Sequence, residues 1–462
     1  MTRAAVLAVA LLLSGCMVGP TYRAPAPSLA PAFRGGPPGP SAARTAPFWR
    51  AFDDPVLNGL EDRALAQNLD LAAAAARVGQ ARAAAHAAVA ALLPAAEADT
   101  QDARAYSSTK GTTGYLSQFP QYKRTASLYD VTAGASWEID VFGGQRREAQ
   151  AARAELAAAG ADVAGARLMV TADVADAYIQ LRGFQRRLAL AESQVAADRR
   201  LLELVRYRFE EGQASRREAD ASEASLQTAL ATLPLLKMGA EAQMNRLAVL
   251  AGAPPEAARG ALESPATIPL ARGLEPGAPG DLLRTRPDLI AAERKLAAAN
   301  AKVGAAIAGY YPRVSLQSLL GWDSTSTAAL FTSPAAEAQG ALGIKWRLFD
   351  FGRVDAEVAN ARGAEAAALA GWRQAVLRAC EDVENALTAR LQRADQARAL
   401  HLAEAALQRS RQAAADGYAA GTLSLLEVTD ADRQLLSVQD QAAQADADSA
   451  RAAVALARAL GG

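Results

Sequence analysis

The chain is written twice, and the duplication restricts it to folds with two pseudo-equivalent halves. "WEIDVFG" begins at Trp137 and "WRLFDFG" at Trp346, a shift of 209 residues (346 − 137). The same shift aligns "RFEEGQASRREADASEASL" with "GYAAGTLSLLEVTDADRQL", placing Gly212 on Gly421, Ser215 on Ser424, Glu218 on Glu427 and Leu226 on Leu435. Upstream, "NLDLAAAAARVGQARA" matches "RPDLIAAERKLAAANA" with a shift of 218, shared by Asp70 with Asp288 and Pro94 with Pro312. The first copy therefore carries nine extra residues (218 − 209) between its proline and its tryptophan. A period this long means two halves rather than a solenoid. The Pro/Gly-rich stretch at 252–280 is the join.

Proline placement gives the elements. None occurs between Pro120 and Pro234 or after Pro334. The helical patterns in those gaps run from about Gly144 to Glu211 and from about Gly352 to Asp416. At 1.5 Å per residue each makes a rod of roughly 100 Å. In the second rod Leu369, Trp372, Val376, Cys380, Val383, Leu387 and Leu391 form one apolar stripe. Its mean step of about 3.7 suits nearly straight helices packed side by side, and it assigns Cys380 to packing. Alanine with interspersed Arg, Glu, Gln and Leu is helix-forming composition.

Between proline and tryptophan the period becomes two. Val131, Ala133, Ala135, Trp137, Ile139 and Val141 alternate with Asp130, Thr132, Ser136, Glu138 and Asp140. Val314, Leu316, Ser318, Leu320 and Trp322, then Leu342, Ile344, Trp346 and Leu348, repeat the pattern, and the duplication supplies a fourth strand before Gly111. Each half is thus a helix, a β-hairpin, a very long helix, a turn and another helix. Strands apolar on one face and polar on the other fit outer-membrane strands, with Trp137, Trp322 and Trp346 suited to an interfacial aromatic girdle. Four strands cannot close a barrel, and lipid does not tolerate an open edge. Two copies would supply eight strands and three would supply twelve, of which twelve leave a lumen. The competing expectation is a soluble hairpin pair packed on helices.

The N-terminus reads as an export signal. Arg3 precedes an apolar run, Ala4 to Leu13, too short to span hydrocarbon. Leu13-Ser14-Gly15-Cys16 resembles the bacterial lipobox, in which the cysteine is acylated. Proline-rich sequence behind Cys16 reads as an extended tether to the first helix near Pro55. Balanced charge, 49 basic against 49 acidic residues, argues against nucleic acid as a partner. His86 and His401 sit in helical sequence without metal-ligand spacing, and no nucleophile elbow, P-loop or dinucleotide fingerprint occurs, so neither cofactor nor enzyme activity is expected.

The chain resembles the TolC-like outer-membrane factors of tripartite efflux systems, in their lipoprotein (NodT-like) branch. "CMVGPTYRAP", "LAVLAGAPP" at 247–255, "LLRTRPDLIAAERKLAAANAKVGAAIAGYYPRVSL" at 282–316 and "FDFGR" at 349–353 carry the resemblance. It implies a mainly helical fold with a small β part. Three copies would form a twelve-stranded outer-membrane barrel on a periplasmic helical barrel. The expected partners are a periplasmic adaptor, an inner-membrane pump of the RND type, outer-membrane lipid and two further copies. The only expected non-protein group is covalent lipid on Cys16. The layout is then a signal peptide (1–15), a lipidated tether (16–54), a first repeat (55–251, hairpin about 95–142), a linker (252–280) and a second repeat (281–462, hairpin about 312–351).

The resemblance also implies a gate near the turns at Gly212 and Gly421. The family's LDAQR-like element falls on "VTDADR", hence on Asp430 and Arg433, with Leu426 and Glu427 one turn earlier. Glu427, Asp430 and Arg433 share a helix face by their i, i+3 spacing. Three Asp430 carboxylates about 6 Å apart would repel by roughly 3 kcal/mol per pair at an effective dielectric of 20, which Arg433 would offset. An ordinary solvated charged face is the competing reading. The first copy has Arg216 and Arg217, then Glu218, where the second has Leu425 and Leu426, then Glu427, which leaves the first tip's part in closure open. A lipid-anchored periplasmic helical scaffold without a pore is the alternative function.

Overall fold

The computed structural model describes residues 17–34, 47–111, 114–120, 122–271 and 277–462; the expected signal peptide and Cys16 lie outside them. Among the described residues, seven longer helices and four strands build the two halves, and all but the first helix are paired by the duplication. The first half contains α1 (Pro55–Gln67), α2 (Leu69–Ala90), β1 (Ala95–Tyr106), β2 (Thr125–Ile139), α3 (Gly144–Glu210) and α4 (Arg216–Leu250). The second contains α5 (Pro287–Ala308), β3 (Arg313–Ser324), β4 (Ala336–Lys345), α6 (Arg353–Ala419) and α7 (Leu425–Ala459). Short helical turns at Gly260–Glu263 and Leu282–Thr285 lie between the halves. Paired helices match residue for residue: α2 and α5 have 22 residues, α3 and α6 have 67, α4 and α7 have 35.

Helix α4 runs through Pro234, whose counterpart in α7 is Ala443. Proline lacks the amide proton for that turn, so one backbone bond is missing there; the flanking packing of Leu236, Ala240 and Met244 keeps the helix intact.

Two compact units divide the chain. One comprises Met1–Pro25, Gly79–Ala158 and Ala292–Gly371. It holds the antiparallel sheet in the order β1-β2-β3-β4. Beside it, Ala151, Ala298 and Ala301 form a cluster with Ala154, because only small side chains let α3 and α5 approach closely. Lys302 Nζ reaches Glu155 Oε1 at 2.6 Å and Asn300 Nδ2 donates to Glu365 Oε1 at 2.7 Å.

The other unit comprises Ala26–Val78, Ala159–Ala291 and Trp372–Gly462. Its core joins Phe48, Phe52, Leu57, Leu60, Tyr178, Ile179, Leu181, Leu247 and Val454, each large side chain contributing about 1.5–3 kcal/mol by leaving water. Asp54 performs two tasks there. Its Oδ1 accepts from the amides of Val56 and Leu57 at 2.8 and 3.0 Å, capping α1. Its Oδ2 accepts from the Tyr178 hydroxyl at 2.7 Å, tying α1 to α3. Tyr178 is fully buried beneath the Arg182 guanidinium, and burial with the Asp54 bond pushes its phenol up to about 12. Two turns along α1, Glu61 is fully buried with neither carboxylate oxygen bonded.

The apolar stripe of α6 buries Trp372, Val376, Val383 and Leu387. Three expected members differ, among them Leu369, which is half-buried. Ala379 takes the fully buried place beside Cys380, which is half-buried at the edge of the stripe, and Leu391 is exposed. Burial raises the Cys380 thiol pKa, consistent with packing rather than reactivity.

Candidate functional site

The sheet is unlike one packed on helices. The outer strands β1 and β4 are exposed almost throughout in the single chain, and all but one residue of β2 and β3 are exposed or half-buried, with Leu320 at 63%, Leu342 at 66% and Ile344 at 70%. Pairing Trp137 with Leu316, Leu316 with Leu342 and Val314 with Ile344 brings these side chains onto one continuous apolar face. Glu138, Ser136 and Gln317 occupy the other. The competing reading of hairpins packed on helices does not account for the exposure of Leu320, Leu342 and Ile344 on this face among the described residues. Strands β1 and β4 are each paired on one side only. Among the described residues no helix is long and apolar enough to cross a membrane.

The tryptophans occupy defined junctions. Trp137 Nε1 donates to Leu92 O at 2.9 Å, and Trp346 Nε1 donates to Tyr310 O at 2.9 Å. These are one interaction made twice, since Leu92 and Tyr310 differ by the 218-residue shift. Each fastens the end of a strand to the end of the preceding helix. Trp322, at the opposite end of β3, packs edge-on against Phe331 at 5.5 Å.

Residues just after Cys16 dock at the first junction. Val18 N donates to Phe142 O at 3.1 Å. The buried Arg147 donates from Nε to Val18 O and from Nη2 to Gly19 O, both at 3.0 Å. Gly19 has φ of 89°, and a Cβ there would lie 2.4 Å from the Gly304 Cα. Only glycine satisfies both constraints. Gly19→Val, or Arg147→Ala, is expected to undock the segment. Loss of charged hydrogen bonds of about 1.5 kcal/mol corresponds to roughly tenfold faster limited tryptic cleavage after the exposed Arg23. Unchanged N-terminal cleavage kinetics would show that these contacts do not hold it.

The two helix–helix turns share one construction. Gly212 and Gly421 take φ of 70° and 73°. The Gln213 and Thr422 amides return to Arg208 O and Gly417 O at 2.7 and 2.9 Å. Ser215 with Glu218 and Ser424 with Glu427 then form complete capping boxes for α4 and α7. The hydrogen bonds from Ser215 and Ser424 hold both glutamates below the usual carboxylate range. Glu427 is thus committed to its helix start, a duty the expected gate face did not include.

The remaining gate candidates lie along α7. Leu426 is 76% exposed. Asp430 accepts from Gln434 Nε2 at 2.7 Å, and Arg433 reaches Ser225 Oγ on α4 at 3.5 Å, the outer limit of a hydrogen bond. The i, i+3 spacing of Asp430 and Arg433 therefore makes no ion pair within the chain. At the first tip, Glu218 is in the cap and Arg216 lies 3.9 Å from Asp220 on its own helix. Sequence reasoning missed the contacts that join the long helices here, two between the copies and one within the second. Arg187 grips Asp440 through two bonds of 2.7 and 3.1 Å, Arg208 donates to the Tyr418 hydroxyl at 2.9 Å, and Arg411 meets Asp432 at 2.7 Å. None leaves a local signal, because the partners are separated in sequence or set by how α3, α4, α6 and α7 pack.

Comparison with known proteins agrees with this geometry. The family model described as outer membrane efflux protein matches residues 60–253 and 278–462. Nodulation protein T of Rhizobium leguminosarum bv. trifolii is 30% identical over 447 residues, covering 94% of this chain and 92% of its own. The pyoverdine export outer membrane protein OpmQ of Pseudomonas putida is 33% identical over 418 residues, 90% and 87% of the two chains. Among solved structures, the outer-membrane channel OprN superposes with a TM-score of 0.86 at 33% identity, covering 97% of this chain and 99% of that one. The open MtrE outer-membrane channel of Neisseria gonorrhoeae gives 0.84 at 28% identity, covering 97% and 98%.

Proposed function

The chain belongs to the outer membrane efflux protein family, and from that membership we propose that it is the outer-membrane exit duct of a tripartite efflux system. A single observation carries the reading: a four-stranded sheet with one exposed apolar face and two unpaired edges. In water such a sheet would aggregate; in a bilayer it is satisfied once its edges are paired. Three copies pooling their strands give a twelve-stranded barrel with a lumen. Its apolar face meets lipid, and Trp137, Trp322 and Trp346 stand at the two ends of the strands as a girdle.

Acylation of Cys16 adds a second attachment, each buried methylene contributing about 0.8 kcal/mol. The docked Val18 and Gly19 support this reading, since they fasten the chain just beyond that cysteine to a strand–helix junction. The helix–helix turns at Gly212 and Gly421 receive a periplasmic adaptor that links the duct to an inner-membrane pump. Asp430 and Arg433 of three α7 helices form the closing ring, and the Arg433–Ser225 contact draws the first repeat into the closed state.

Planar-bilayer conductance tests both levels. Wild type is expected to form channels of low conductance. Arg433→Ala removes charged contacts of about 1.5 kcal/mol and should raise open-state population roughly tenfold; Asp430→Ala should act in the same direction. Absence of channels in wild type and in both variants would favour the poreless scaffold. Channels unaltered by either substitution would remove the gate assignment and leave the duct intact.

A further inference from the structure

The two hairpins are copies in metric detail. Strands β1 and β3 correspond by 218 residues at both ends. The pair Ala95↔Ser136 in the first hairpin becomes Arg313↔Lys345 in the second under the shifts of 218 and 209. Seven of the nine extra residues therefore fall in the connecting loop, which occupies 107–124 in the first copy and only 325–335 in the second, and the other two, Thr125 and Ala126, lengthen β2. The duplication continues into the junctions, as the two tryptophan bonds show.

The β2–β3 pairing is the joint from first copy to second. The return joint, from second copy to first, has no example within the chain, because β4 and β1 are the two open edges. Resting on the trimeric reading above, we propose that β4 of one copy pairs with β1 of the next in the register dictated by the β2–β3 joint. Moving β2 forward by 209 and β3 back by 218 converts Ser136↔Gln317 into Lys345↔Asp99. It likewise converts Trp137↔Leu316 into Trp346↔Ala98, and Ala135↔Ser318 into Ile344↔Thr100.

Three independent features fit this seam. Thr100 pairs with Val131 inside the chain and so lies on the apolar face, where Ile344 also lies; a slip of one residue would turn that face inward. Lys345, whose neighbour within the chain is Arg313, gains the opposite charge of Asp99 across the seam. The junction aromatics also match. Phe142 stacks on Tyr311 with centroids 4.6 Å apart, and the same shifts carry that pair to Phe351 and Leu93. Both are unpartnered in the single chain: Phe351 is fully exposed at 104% and Leu93 is 64% exposed. The return joint thus supplies Phe351 of one copy with Leu93 of its neighbour.

Cysteine crosslinking of the full-length, membrane-assembled protein tests the register, in a Cys380→Ala background. Lys345→Cys with Asp99→Cys is expected to give covalent trimers on a denaturing gel after mild oxidation. Pairing Lys345→Cys with Glu97→Cys or Gln101→Cys displaces the partner by about 7 Å along the strand, beyond disulfide reach, and should crosslink about tenfold less. Lys345→Glu should lower the heat resistance of the oligomer, and adding Asp99→Lys should restore it. Stronger crosslinking of a displaced pair, or no restoration in an intact trimer, would overturn the register alone. A particle mass of a single chain in detergent would overturn the register together with the trimer.

Discussion

Glu61→Gln is expected to stabilise the folded chain at neutral pH and to change nothing in acid. Burial, with a smaller push from Asp62, raises the Glu61 carboxyl to about 9 from an ordinary value of 4.5, and neither oxygen has a partner. The unfolded chain releases this proton above pH 4.5, whereas the folded chain keeps it until about pH 9. Stability from the neutral form is therefore complete below pH 4.5, declines as pH rises, and is gone above about 9. At pH 7 the difference is at most about 3 kcal/mol, counting 1.36 kcal/mol per pH unit above 4.5. Glutamine reproduces the neutral side chain and removes the slope. Thermal unfolding followed by circular dichroism at pH 4.5, 7 and 8.5 measures it. Parallel pH profiles for the two proteins would show that Glu61 is ionised or solvated in the fold.

Asp54→Ala is the second large effect, a loss of about 3 kcal/mol. Removing the cap of α1 costs about 1 kcal/mol. Leaving the Tyr178 hydroxyl buried without its acceptor adds about 1–3 kcal/mol. Tyr178→Phe keeps the cap and should cost only about 1 kcal/mol. With the hydroxyl already gone, Asp54→Ala should then cost little more than the cap, so the two losses are not additive. Additive losses in a double-mutant cycle would mean that the 2.7 Å bond carries no coupling.

The regular parts of this fold were legible because they rest on periodicity and repetition. Proline spacing located α3 and α6 within a few residues, since long alanine-rich stretches without proline have no competing structure. Alternation at 130–141 and 313–322 found β2 and β3. Strand β1, with Glu97, Asp99, Asp102 and Arg104, was reached only through its duplicate.

What escaped were contacts closed over long stretches of chain. Arg147 reads as one more helical arginine, and nothing near it announces Val18 or Gly19 as partners. Arg187 with Asp440, and Asp54 with Tyr178, are equally silent, because each depends on which helix faces are neighbours. Glu427 shows the opposite difficulty. Its capping signature, Ser424-x-x-Glu427, is fully local, yet the resemblance directed it toward the gate. The same Ser-x-x-Glu at 215–218 was the signal that both glutamates serve their helices.

The docking of Gly19 against Gly304 has a consequence for the order in which the molecule is completed. The two residues stand 285 positions apart (304 − 19), so the cradle for the earliest described residues is built from some of the later ones. Such a distant closure comes late, after local helices and hairpins have formed. A chain cut short before α5 would carry its N-terminal segment with nowhere to rest. Docking therefore acts as a completion mark, reached only by a molecule whose second half has arrived and folded.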